Sequence, residues 1–119
     1  MISSFGIVMR EIRKNAGDSL IVCAKKLEVT PAFLSSMEVG RKSIPTYYPD
    51  KIKELYNLSE ESYISLYNAM IETNKHVDIE IEKMNDAQKE VSMAFARKIE
   101  NADPELIEKL RKALLDDQN

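Results

Sequence analysis

Thr30, Pro31, Ala32, Ser35 and Ser36 are small or hydroxyl-bearing, and Arg41 and Lys42 follow shortly after. On a helix, positions 31, 32, 35 and 36 fall at i, i+1, i+4 and i+5 and share one face. Small side chains let a helix backbone come close to another surface, and hydroxyls donate and accept hydrogen bonds. A cation pair just past the helix suits phosphate oxygens. Ser19 adds a second feature of this kind: it can cap a helix whose N-terminus faces a phosphate. Catalysis has much less to work with. His76 is the only histidine, Cys23 the only cysteine, and no motif pairs two carboxylates. Metal binding and acid–base chemistry therefore have no support, and neither an enzyme nor a cofactor is expected.

The segment Leu20–Pro45, LIVCAKKLEVTPAFLSSMEVGRKSIP, must position these residues. Ala24 and Leu27 form an i, i+3 pair on the inner side of a first helix. Glu28-Val29 is a short connection. Thr30 is a good N-cap, since its hydroxyl can accept a free backbone N–H of the next turn. Pro31 follows at the first helical position, where a missing N–H costs nothing. Val29 and Leu34 can pack as a hydrophobic staple. Leu34 and Met37 continue the buried stripe, and Gly40 supplies a stop. The predicted second helix is Pro31–Met37.

Residues 6–58 resemble the helix-turn-helix domain of the XRE family, the phage Cro and repressor type. The resemblance rests on Ile12-Arg13, Gly17, Ala24, Leu27, Val29-Thr30, Leu34-Ser35, Glu38, Gly40 and Pro45. It implies an all-α, five-helix lambda-repressor-like fold and an ion pair between Arg13 and Glu38 that locks the first helix to the recognition helix. It further implies a dimeric transcriptional repressor that places Pro31–Met37 in the major groove of double-stranded DNA. Ser19, Thr30, Pro31, Ala32, Ser35, Ser36, Arg41 and Lys42 would then meet the DNA. Half-sites would lie about one helical turn apart, ~34 Å.

The chain also departs from the pattern. Glu28 stands where the family has glycine in the turn; a left-handed backbone there costs about 1–2 kcal/mol. Leu20, Ile21 and Val22 occupy positions that are often polar. Ile21 and Val22 form either a contact patch or a surface covered by the fifth helix. The outer face carries no Arg, Asn or Gln, the strong readers of base edges. Sequence choice would therefore lean on DNA shape and neighbouring loops. The alternative is a domain that has partly exchanged DNA for a protein partner.

Length and charge bound these expectations. The 119 residues suit one compact domain or a small domain with an extension. No apolar run reaches membrane-spanning length, and the N-terminal stretch lacks the basic leader and cleavage site of a signal peptide. A single cysteine fits a reducing cytoplasm. The net charge of −3 divides unevenly: residues 1–45 hold 7 basic and 4 acidic side chains, a local excess of +3. Local charge governs association. This excess is modest, so high affinity would need a dimer. Lys25 and Lys26 read as a solvated rim, Cys23 as buried filler. Tyr47 and Tyr48 either offer hydroxyls to the DNA backbone or pack.

Around the central pair, the pattern predicts a helix over about Phe5–Asn15 with Ile2, Phe5, Val8, Met9 and Ile12 inward. Another lies near Pro49–Asn57 with Ile52, Leu55 and Tyr56 inward. A fifth, capped by Ser59, runs to about Thr73 with Tyr63, Ile64, Tyr67 and Ile71 inward. These complete a domain at residues 1–74. In the linker 75–84, Val77, Ile79 and Ile81 alternate with Asp78, Glu80 and Glu82, a period of two that predicts a short strand. No second strand is evident, so it would pair with its copy across a two-fold axis as a dimer ribbon. An extended linker and a strand awaiting a basic partner strand are the alternatives. Residues 85–119 read as a helical hairpin. Asn85 with Gln88 caps its first helix, whose stripe is Val91, Ala94, Phe95 and Lys98 or Ile99. Asp103 and Pro104 open its second, with Leu106, Ile107, Leu110 and Leu114. Such short helices bury little alone, so the hairpin serves dimerisation or a partner. This tail loosely resembles that of XRE-type regulators encoded beside toxins or phage-associated metallopeptidases. An antitoxin or a phage-encoded inhibitor acting through protein–protein contact, in the antitoxin case one that also represses its own operon, is therefore the second functional expectation.

Overall fold

The computed structural model describes residues 1–116 and consists entirely of helices. It divides into two units, residues 1–78 and 79–119, of which the last three residues of the expected hairpin, 117–119, lie outside the described residues. The first unit contains α1 (Ser4–Ala16), α2 (Leu20–Lys26), α3 (Pro31–Glu38), α4 (Tyr48–Tyr56) and α5 (Glu60–Thr73).

Four of these helix starts, those of α1, α2, α3 and α5, are fixed by a side chain at the cap. Ser3, Ser19, Thr30 and Ser59 sit in extended backbone, and each hydroxyl accepts an N–H from three residues on. These bonds satisfy donors that an α-helix leaves unpaired at its first turn. The helices then bury one face each. Phe5, Met9 and Ile12 of α1 meet Cys23 and Ala24 of α2, Leu34 and Met37 of α3, Ile52 of α4 and Leu66 and Met70 of α5 in one core. Ile44, from the loop after α3, closes it. Truncating Phe5, Met9, Leu34, Met37, Ile52 or Leu66 to alanine should cost about 2–5 kcal/mol.

α1 packs on both α3 and α5, and its start is bonded to the end of α3. The Ser3 N–H and hydroxyl both donate to the Glu38 carbonyl, at 2.9 and 2.7 Å. Gly6 makes this possible, because a Cβ there would collide with that same carbonyl. Overpacking so tight a junction is destabilising.

Three apolar expectations need correction. On α5 the buried residues are Leu66, Ala69 and Met70, whereas Ile64 and Ile71 are 50 % and 60 % exposed and Tyr67 is also exposed. The helix is apolar on two sides, and packing on α1 and α4 selected the other one. Leu55 of α4 likewise faces solvent. The predicted strand is absent: Val77, Ile79 and Ile81 lie in backbone without regular structure, and no strand occurs among the described residues. A ladder needs a second row of N–H and C=O groups, which the chain does not offer this segment.

The second unit holds α6 (Asp86–Lys98), a 3₁₀ turn (Ile99–Asn101) and α7 (Pro104–Leu115). Asn85 and Gln88 form the expected reciprocal capping box, with bonds of 2.8 and 3.0 Å. Asp103 caps α7 through the Leu106 N–H at 2.8 Å. No side chain of α6 or α7 is fully buried, so Val91 and Leu114 do not act as core residues.

Candidate nucleic-acid interface

The geometry of α3 follows from how it is held. Its inner side is Leu34 and Met37, both fully buried. At its end the buried Glu38 carboxylate pairs with the Arg13 guanidinium of α1, whose side chain is 11 % exposed. The helix is thus tied to α1 twice, by this ion pair and by the Ser3 bonds to the Glu38 carbonyl. α2 packs along it, joined through Leu27, Glu28, Val29 and Thr30. Glu28 adopts φ 61°, the left-handed backbone that this turn demands.

Fastened in this way, α3 turns Pro31, Ala32 and Ser35 to solvent. Ser36 is half-buried, and its carbonyl accepts the Arg41 N–H at 2.9 Å and the Lys42 N–H at 3.3 Å. The two basic residues are therefore hung from the last turn of α3, past Gly40, whose φ of 81° lets the chain reverse there. Both side chains are exposed. Thr30 and Ser19 are exposed caps, with their hydroxyl oxygens accepting from Phe33 N–H at 3.1 Å and Val22 N–H at 3.2 Å. The small outer face, the two caps and the basic loop thus belong to one packed pair of helices and its exit.

Some neighbouring residues play parts other than those expected. Lys26 is not a free rim cation: its ammonium bonds Asp18 at 2.6 Å and lies 4.9 Å from the centre of the Tyr56 ring. The Tyr56 hydroxyl donates to the same carboxylate at 2.8 Å. Bonds from Lys26 and Tyr56 hold the Asp18 carboxyl below the usual carboxylate range. Burial, then the nearby Cys23 thiol and Asp18, push the Tyr56 hydroxyl up. Cys23 is buried, and desolvation raises its pKa, so it is inert filler as expected. Lys51 of α4 donates to the Leu27 carbonyl at 3.2 Å, a cation at the C-terminal end of α2. Tyr48 is in the core while Tyr47 is exposed. Ile21 and Val22 are 67 % and 42 % exposed on α2 and are not covered by α5.

Two basic residues escaped the sequence reading. Lys75 and His76 follow the end of α5 and line the same cleft as Arg41 and Lys42. The chain separation hides this. Only Asn74, a polar residue directly after a helix, hints that the segment is pinned. Among the described residues no cluster of His, Cys, Asp or Glu is arranged to hold a metal ion, and no helix is long and apolar enough to cross a membrane. Comparison of the chain with family models, curated proteins and solved structures finds no match.

Proposed function

We propose that the chain is a DNA-binding transcriptional regulator of the XRE helix-turn-helix type, acting as a homodimeric repressor. α2 and α3 form the motif, and α3 enters the major groove with Ala32 and Ser35 foremost. Ala32 suits a thymine methyl, and the hydroxyls of Thr30, Ser35 and Ser36 can donate or accept. Arg41 and Lys42 hold phosphates and fix register. The observation that carries this reading is the exposed, small-residue face of a helix that is locked at its far end by Arg13–Glu38 and followed at once by two exposed cations. One domain neutralises few phosphates, so two copies are needed for tight binding.

The test is fluorescence anisotropy with duplex DNA from upstream of the gene, against a scrambled duplex, at two salt concentrations. Preferential binding that weakens with salt is expected, and Arg41→Ala should weaken both duplexes alike and flatten the salt slope. Equal binding to both duplexes, or an unchanged slope in Arg41→Ala, counts against the reading. Light scattering at micromolar concentration should give a dimer mass.

A second reading, an antitoxin or inhibitor that acts by protein contact, is favoured by one observation. Ile21 and Val22 present an apolar surface on α2, where a phosphate-facing helix would gain from polar side chains. Ile21→Lys separates the two: it should leave or improve DNA affinity under the first reading.

A further inference from the structure

Arg41, Lys42 and Ser43 of the exit loop and Asn74, Lys75 and His76 after α5 line a cleft of about 350 Å³. The two segments are clamped together. The Asn74 carboxamide accepts the Ile44 N–H at 2.7 Å and donates to the Ile44 carbonyl at 2.9 Å. Gly40 keeps the corner narrow: a Cβ there would already lie in contact distance of Ser3 and Thr73, at 3.8 and 3.9 Å. No carboxylate lines the cleft, and none of Arg41, Lys42, Lys75 and His76 enters an ion pair among the described residues. The C-terminal ends of α3 and α5 lie close by and attract cations. Two helix ends carry only about half a negative charge each. Arg41, Lys42 and Lys75 exceed that in charge, leaving a positive cleft, with an imidazole beside them, that no carboxylate lines. Guanidinium, ammonium, imidazole and hydroxyl donors around one small opening match the oxygens of a phosphate.

We propose that this cleft binds one phosphate group, that a DNA backbone supplies it, and that Lys75 and His76 are its additional ligands beyond Arg41 and Lys42. The proposal rests on the DNA-binding reading for its source of phosphate but not for the cleft itself. On this basis the segment after α5 is part of the interface, and the footprint extends past the loop that follows α3.

The experiment compares the full chain with Lys75→Gln/His76→Gln. Both residues are exposed, and an unchanged melting curve confirms that the variant folds. With duplex DNA, the double variant should bind about tenfold more weakly and lower the slope of log K against log salt by about 1. An unchanged slope, with Arg41→Ala still lowering it, overturns the proposal while leaving the DNA-binding reading intact. A chain that binds no duplex removes DNA as the source and the functional reading with it. Inorganic phosphate followed by amide NMR then decides for the cleft. Shifts confined to Gly40–Ser43 and Lys75–His76, lost in the variant, support a phosphate site that takes free phosphate; no such shifts overturn it.

Discussion

The Asn74 side chain forms a closed two-bond ring with the backbone of Ile44, taking its N–H at 2.7 Å and giving to its carbonyl at 2.9 Å. Ile44 is 2 % exposed and sits in the core. Asn74 therefore satisfies two backbone groups that water reaches poorly, and in doing so it sets the exit loop of α3 against the end of α5. Asn74→Ala leaves both groups unpaired, at about 1–3 kcal/mol each. Denaturant unfolding should show a loss of about 2–6 kcal/mol. Asn74→Asp keeps the acceptor but loses the donor, so it should fall between the two. Equal stability of Asn74→Ala and the parent chain would remove the clamp from the account.

Such a clamp marks the limit of what was legible in the linear chain. Ser19, Thr30, Ser59, Asn85 and Asp103 were readable as caps because a cap acts on an N–H two or three residues away. The Glu28 turn was readable from the short gap between two helical patterns. The inner face of α5 was not, since Ile64, Tyr67 and Ile71 (i, i+3, i+7) make a helical stripe as good as that of Leu66, Ala69 and Met70 (i, i+3, i+4). Periodicity finds a stripe but cannot choose between two; the partner helices do that. Gly6 gave no sign either, because its need for a bare Cα arises only from the Glu38 carbonyl. The alternation of Val77, Ile79 and Ile81 is a local signal, whereas a strand requires a distant partner. Lys75 and His76 became candidates for the interface only once Asn74 had folded them back beside Arg41.

Arg13 and Glu38 make a falsifiable pair. Their charges are largely removed from water, so neither is tolerable alone. Arg13→Met or Glu38→Leu alone should each cost about 3–5 kcal/mol, whereas the two together should cost far less than the two losses added. Urea unfolding of the four proteins closes the cycle. Additive losses would mean that the two side chains contribute independently, and the locking of α3 to α1 would then rest on Ser3 and the core alone.

Glu28 carries strain that glycine would not. At φ 61° its Cβ crowds the backbone, at a cost of about 1–2 kcal/mol. Glycine removes this but adds freedom to the unfolded chain, which returns part of the gain. Glu28→Gly should therefore stabilise by about 1 kcal/mol, read as a higher urea midpoint with an unchanged m-value. Glu28→Ala keeps the Cβ and should not gain. If alanine and glycine are equivalent, lost glutamate charge and not backbone strain explains any change.

Alkaline titration addresses the α4–α5 contact. Tyr63 donates to Asp50 at 2.6 Å, and that bond, with a smaller contribution from burial, pushes its hydroxyl up to about 12. An unfolded tyrosine titrates near ~10. The raised value means that the folded chain keeps a proton which the unfolded chain gives up, so this group stabilises the fold fully below about pH 10. Its contribution falls as pH climbs from there and is gone above about 12. Tyr56, also raised, acts in the same direction. Tyr63→Phe should therefore be less stable than the parent chain at neutral pH and should lose less stability between pH ~9 and ~11. Urea midpoints across that range measure both. Parallel curves for the two proteins would show that the Asp50 bond does not hold the Tyr63 proton.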